Sequence, residues 1–275
     1  MIELDERYRS SWDARSIAHV VGIGHTTVAK ILREKRGPRP RRRRLPHDRR
    51  TSFLRRDVMW SSDFTEVPGK KKLLKTLDEM SRFKLGWEIV PSERAADVVE
   101  HARQLIARMG RKPLVWKFDH GSAFMSHAFQ SFLAQNEIVP YPIAPRAPWA
   151  NGRTERDNKE IKNWLIPVEK SLKNTEELDA DVDDGMLMLN YVKPRAVLGF
   201  RTSASAYFAK PAVEELDRSQ FIVELNALKN QFDESRWSER VHRKAVRTLL
   251  QRLGLYEEWV ESENVKRLDE VHVSI

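Results

Sequence analysis

Three carboxylates, Asp63, Asp119 and Glu155, fall at positions of a 275-residue chain where side chains do chemistry rather than packing. Asp63 lies in an apolar, strand-like stretch at 58–67, and Asp119 ends PLVWKF at 113–118, a run apolar enough to be buried on both faces. Glu155 stands near the start of a helical stretch at 153–165, reached through a Pro- and Gly-rich loop at 144–152, with 35 residues (120–154) separating it from Asp119. Carboxylates at neighbouring strand ends are a functional-site pattern. With no Cys in the chain and no His cluster beside them, an all-oxygen set suits hard cations, Mg²⁺ or Mn²⁺, and not zinc. Nearby carboxylates read differently. Asp157 and Glu160 share the helix of Glu155 but, at ~100° per residue, point to other faces, toward solvent or helix-dipole pairing. Glu66 lies three residues after Asp63 and so on the opposite strand face. Asp78 reads as turn chemistry and Asp57 as a capping or linker charge. His120 faces away from Asp119 if the strand continues, and Gly121 allows a tight bend after it.

The elements that must hold these groups are legible from periodicity. Strands at 58–67, 72–77 and 83–90 form a meander, its second turn at 78–82. A helix capped by Ser92 runs to 109, with Ala95, Val98, Val99, Ala102, Leu105 and Ile106 on one stripe and Gly110 beyond it. A strand at 113–118, a helix at 127–135 and a strand at 138–143 precede the helix at 153–165. This order implies an α/β sheet with covered faces, in which a long crossover sets the strand of Asp119 beside that of Asp63.

Further on, a helix begins at Asn174 and runs to 192, stopped by Pro194. The tail from 212 to 260 reads as two or three helical segments, including 236–253 with Val241, Ala245, Val246, Leu249, Leu250 and Leu253 apolar. Packing on the core is its plainest role, with dimerisation or DNA contact through Arg236, Arg240, His242, Arg243, Lys244 and Arg247 as alternatives. Residues 266–275 alternate weakly, as a strand would.

Charge marks the other end. The net charge is +9, and residues 1–50 hold 14 Lys/Arg against 6 Asp/Glu, leaving the remainder nearly neutral. An excess so localised points to a polyanion-binding module. Residues 14–35 carry Ile17, Ala18, Val21, Ile23, Val28, Ile31 and Leu32 at helical spacing around Gly22-Ile23-Gly24, a helix-turn-helix pattern, with Tyr8 and Trp12 on a preceding helix to close the core. His25, Thr26, Thr27, Lys30 and Arg33 line the outer face of its second helix, groups suited to a DNA major groove. The stretch 35–50, with Arg41, Arg42, Arg43 and Arg44 and interrupted by Pro38, Pro40 and Pro46, reads as an extended basic arm. Hydrophobic residues at 40% and charged residues at 32% exclude collagen-like and wholly disordered chains. Absence of Cys excludes disulfide scaffolds and Cys nucleophiles. An acidic start and no apolar run of ~20 residues indicate neither export nor a membrane span, so the expected location is the cytoplasm.

Across 55–208 the stretches WSSDFTEV, LLKTLDEMSRFKLGWEIV, KFDHGSAFMSHAFQSFL, PRAPWANGRTERDNKEIKNWL and LNYVKPRAVLGFRTSASAYF resemble, in order and spacing, the DDE catalytic core of bacterial insertion-sequence transposases and retroviral integrases. Thr202-Ser203 departs from the family's Thr-Pro at the start of a late helix. The resemblance implies an RNase H-like five-stranded mixed sheet with helices on both faces. It is preceded by the all-α helix-turn-helix unit and followed by a helical tail, dividing the chain into 1–36, 37–54, 55–208 and 209–275. It implies that Asp63, Asp119 and Glu155 hold two Mg²⁺ or Mn²⁺ ions, Asp63 bridging both, for cleavage at transposon DNA ends and 3′-OH strand transfer into target DNA. Lys159 and Lys162, four and seven residues after Glu155 on its helical face, would meet phosphates of the bound DNA; for Lys159 the alternative is pairing with Glu155. Arg146, Trp149 and Asn151 in the preceding loop could hold or unstack DNA, Trp149 equally serving as a loop anchor. The partners implied are double-stranded DNA and further copies of the chain pairing two ends, on the bacterial nucleoid. Two other readings are a non-catalytic helix-turn-helix regulator and a stand-alone nuclease; the intact carboxylate set argues against the first, the helix-turn-helix and the 35-residue gap against the second.

Overall fold

A computed structural model describes residues 2–9, 11–37, 49–144, 152–169, 175–213, 216–232 and 238–260. At its centre are five strands, β2 (Met59–Val67), β3 (Lys71–Asp78), β4 (Lys84–Val90), β5 (Val115–Phe118) and β6 (Val139–Pro142), in the order β4-β3-β2-β5-β6. The first three are antiparallel, and β5 and β6 run parallel to β2. This is the mixed, RNase H-like sheet that the resemblance implied, and it agrees with the α/β sheet read from the order of elements. It is numbered from β2 because Arg49–Phe53 forms a strand, β1, that the sequence pattern did not announce. β1 pairs antiparallel with Tyr256–Val260, β7, in a separate two-stranded ribbon. The tail, read from sequence as two or three helical segments within 212–260, therefore ends its described part in a strand that this reading did not include; the Phe53 and Tyr256 rings, 5.2 Å apart, stabilise the ribbon.

The two sheet faces differ in chemistry. Trp60, Leu74, Leu85, Trp116 and Phe118 face a dry layer made by α4 (Ala95–Met109), α5 (His127–Gln135) and α8 (Ser203–Phe208). Gly86 lets α4 approach closely, since a Cβ there would lie 2.7 Å from Arg108 Nη2 and 3.1 Å from Leu105 Cδ1. The N-cap of α4 is Arg94, bound to Asp97 at 3.0 Å; Ser92 lies in the bend before it. The Thr202-Ser203 departure leaves α8 capped, because Thr202 Oγ1 accepts from Ser205 N.

On the other face, alternate residues of β2, β3 and β5 meet α6 (Gly152–Glu169), and here two apolar clusters flank a charged centre. Val67 and Leu73 join Ile161, Trp164 and Leu165 of α6 with α7 (Thr175–Leu187) and the N-terminal helices. Met59, Val115 and Val139 join α9 (Arg218–Phe232) and α10 (Glu239–Arg252). Between them lie Asp63, Lys75 and Lys117, all buried.

The N-terminal unit comprises α1 (Ile2–Arg7), α2 (Ala14–Val21) and α3 (His25–Arg36). Asp13 caps α2 by accepting from Arg15 N and Ser16 N, and Gly22, at φ +69°, closes it in the left-handed region that glycine enters freely. Tyr8 and Trp12 stack at 4.2 Å, but both follow the end of α1 rather than riding on it. The unit docks on the core through Arg9 to Asp181 (2.8 Å), Trp12 Nε1 to Met188 Sδ (3.1 Å) and Ser16 Oγ to Pro194 O (2.7 Å). Residues 261–275, including the weakly alternating segment, lie outside the described residues. Among the described residues no helix is long and apolar enough to cross a membrane.

Candidate active site

β2 and β5 run parallel with Ser61 opposite Lys117. The same register continued two residues sets Asp119, the first residue past β5, opposite Asp63 and on the same face. Asp63 is buried in mid-strand, 7% exposed, while Asp119 is half-buried at the strand end. Burial pushes the Asp63 carboxyl up, and the Asp119 charge adds to this against Lys75, Asn158 and Lys117. Asp119 Oδ1 accepts from Gly121 N at 2.8 Å. Glycine at 121 serves space rather than backbone angle, because a Cβ there would sit 2.9 Å from Asp119 Oδ1.

Glu155 lies in the first turn of α6 and is exposed. One helical turn further on, Asn158 Nδ2 donates to Asp63 Oδ2 at 2.5 Å, bringing the α6 face that carries Glu155 against β2. Asn158 was missed from sequence, though its i+3 offset from Glu155 was a signal for it. Among the described residues no group of three or more His, Cys, Asp or Glu is gathered closely enough to hold a metal ion. The donors present fit a hard divalent cation. Asp63 and Asp119 supply two mutually repelling carboxylates, and the buried Asn158 Oδ1 has no hydrogen-bond partner.

Asp157 and Glu160 correct the expectation of solvent-facing charges, since α6 is covered on that side as well. Asp157 binds Lys75 (2.9 Å) and Lys84 (2.5 Å), and Glu160 binds Lys193 (3.0 Å) and Arg195 (3.1 Å), all of them buried. Burial raises the Asp157 carboxyl, but Lys75 and Lys84 outweigh it and hold the group well below the usual carboxylate range. Asp57 is no linker charge either. Its backbone sits at φ +63°, and its buried Oδ1 accepts from Trp60 Nε1 and Tyr207 Oη, both at 2.8 Å. Asp78 does organise its turn, accepting from Ser81 N and Oγ and from Asp57 N. Glu66 is exposed, and His120 points to Glu239 of α10, 3.1 Å away.

Lys159 and Lys162 are exposed on α6, and among the described residues neither Lys159 nor Glu155 forms an ion pair, so the pairing alternative for Lys159 has no contact behind it. His25, Thr26, Thr27, Lys30 and Arg33 are exposed along α3. The tail helix packs as its plainest reading held: Ala245, Val246, Leu249 and Leu250 are buried, and His242 and Arg243 bond the Pro140 and Pro142 carbonyls of β6. Arg41, Arg42, Arg43, Arg44, Arg146, Trp149 and Asn151 lie outside the described residues.

Residues 54–148 match the family model described as integrase core domain, a span that contains Asp63 and Asp119 and ends before Glu155. The Pol-related polyprotein of mouse intracisternal A-particle MIA14 is 29% identical over 117 residues, 42% of this chain and 13% of that protein. The Gag-Pro-Pol polyprotein of mouse mammary tumor virus (strain BR6) is 32% identical over 121 residues, 43% of this chain and 7% of that protein. The chain thus spans only a small part of these relatives. Among solved structures, a chain of the simian T-cell lymphotropic virus intasome in complex with PP2A regulatory subunit B56 gamma shares the fold, with a TM-score of 0.54 at 20% identity over 72% of each chain. Family match, strand order and shared fold agree on the centre of this chain, where residues 54–148 match the integrase core domain model.

Proposed function

We propose that the chain is a transposase that cuts at the ends of a mobile DNA element and joins the freed 3′ ends to target DNA. The observation that carries this reading is the meeting of Asp63 and Asp119 across the β2–β5 register, with α6 joined to Asp63 through Asn158. Asp63, Asp119 and Glu155 would hold two Mg²⁺ or Mn²⁺ ions, which when bound activate the attacking oxygen and stabilise the leaving one. In the first step a water oxygen bonds to the scissile phosphorus and the P–O3′ bond breaks, leaving a 3′-OH. In the second that hydroxyl bonds to a target phosphorus and displaces a target 3′ oxygen, so no covalent enzyme intermediate is needed. Lys159 and Lys162 would hold backbone phosphates, as would Arg146 and Asn151, with Trp149 beside the scissile step.

In this reading residues 1–36 recognise the element end through His25, Thr26, Thr27, Lys30 and Arg33, and the segment 37–54 follows the adjacent backbone through Arg41 to Arg44 before its residues Arg49–Phe53 enter the fold as β1. Residues 55–208 carry the chemistry and 209–275 complete the fold. Two ends are paired by a homo-oligomer acting on the nucleoid in a bacterial cytoplasm. Asp63→Asn, Asp119→Asn and Glu155→Gln keep size and remove an anionic donor. Each is expected to abolish cleavage and strand transfer of a labelled end in Mg²⁺ while binding persists. Near-wild-type product from one variant removes that residue from the set, and binding without cleavage by the wild-type chain would favour a non-catalytic regulator.

A further inference from the structure

We infer that Glu79, outside the candidate ligand set, is a positioning residue that locks the strand bearing Asp119 and the helix bearing Glu155 into one fixed relation. The inference rests on the reading of Asp63, Asp119 and Glu155 as metal ligands. Glu79 directly follows β3 and is buried, 3% exposed. Its backbone N–H donates to Met59 O at the start of β2, at 3.0 Å. Its Oε1 accepts from Lys117 Nζ at 2.7 Å, and its Oε2 from Arg153 Nη1 at 2.9 Å. Lys117 stands two residues before Asp119 on β5, and Arg153 two residues before Glu155 in the first turn of α6. One residue therefore touches all three elements that carry the candidate ligands.

Arg153 extends the clamp, with Nη1 also on Glu79 O at 3.0 Å and Nη2 donating to Thr51 O and Oγ1 on β1. The other buried carboxylates of α6 lack this geometry. Asp157 and Glu160 pair with Lys75, Lys84, Lys193 and Arg195, none of which stands within two residues of Asp119 or Glu155. Burial raises the Glu79 carboxyl, but Lys117 and Arg153 outweigh it and hold it down at about 2, so the clamp is anionic in any assay near neutral pH. Partners that orient metal ligands without touching the metal set affinity by fixing ligand geometry.

The test uses the full chain with Glu79→Gln and Arg153→Met, and Asp63→Asn as reference. Free Mn²⁺ is followed by electron paramagnetic resonance, alongside affinity for a labelled DNA end and the thermal midpoint. Glu79→Gln and Arg153→Met are expected to weaken Mn²⁺ binding about 10- to 100-fold with DNA affinity unchanged, and Glu79→Asp, which restores the charge, to recover part of the loss. Where Glu79→Gln fails to fold, Arg153→Met carries the same forecast, because it leaves Glu79 its Lys117 partner. Folded variants that bind Mn²⁺ like the wild type would overturn the positioning role. Wild-type Mn²⁺ binding by Asp63→Asn would instead overturn the ligand reading on which it rests.

Discussion

At the scale of single residues, α6 sorts its charges by direction. Asp157 and Glu160 point inward and are neutralised by buried cations, whereas Glu155, Lys159 and Lys162 remain exposed. An exposed ammonium beside the proposed metal site has its free donors to offer to phosphate, and a charge-assisted N–H···O contact is roughly twice as strong as a neutral one. Lys159→Ala and Lys162→Ala should therefore raise the DNA concentration needed for half-maximal activity and leave the Mg²⁺ requirement unchanged. Separate titrations against DNA and against Mg²⁺ check this, and a shift confined to the metal titration would remove the phosphate role.

At the scale of elements, α6 is seated on the sheet by ion pairs at its middle and by apolar contacts at Ile161, Trp164 and Leu165. The seat depends on pH in a definite direction. For Glu79 and Glu160 burial raises the carboxyl, but Lys117 and Arg153 in one case and Arg195 and Lys193 in the other outweigh it, leaving both at about 2 against an ordinary 4.5. Groups whose folded value lies below the unfolded one contribute stability that is fully present above the unfolded value and lost as pH falls through the folded one. The contribution of these two groups to the denaturation midpoint should accordingly be level above about pH 5 and fall away toward about pH 2, while Asp78, pushed up to about 7 by burial, adds an opposite slope between about pH 4 and 7. Glu160→Gln should flatten part of that fall while lowering the midpoint at neutral pH, since Lys193 and Arg195 then stay buried without a counter-charge. A midpoint independent of pH in this window would contradict the seating of α6 by these pairs.

At the scale of the whole molecule, the N-terminal helical unit shares one apolar cluster with α6, α7 and the sheet, through Trp12, Ile17, Val28 and Leu32. Elements that share a core unfold together, so calorimetry should give a single transition that includes the N-terminal helices. Trp12→Ala should move that whole transition down, by about 3–5 kcal/mol for a buried aromatic. Two separate transitions would show that the unit folds on its own. The Arg-rich arm makes a distinct forecast. If it contacts Z phosphates, log K falls with log salt at a slope of about −0.9Z, and replacing Arg41 to Arg44 by Ala should flatten that slope. An unchanged slope would reduce the arm to a connector.

What the sequence by itself determined is the part of this protein governed by local rules. Alternation and helical periodicity mark the meander, the helix at 127–135 and the α2–α3 pair, and Asp63 and Asp119 can be set side by side because both end up at matching places on strands joined by one crossover. Only the tertiary structure decided which charges are buried and with whom. Lys75 and Asp157 are 82 positions apart, Glu79 and Arg153 are 74 apart, and a surface-like residue type becomes an interior one only when a distant element covers it. The pairing of β1 with β7 has the same origin, since Arg49–Phe53 is a strand because Tyr256–Val260 supplies its hydrogen bonds from the far end of the chain. Local pattern sets the elements, while desolvation and ion pairing depend on contacts that exist only after the chain has closed on itself.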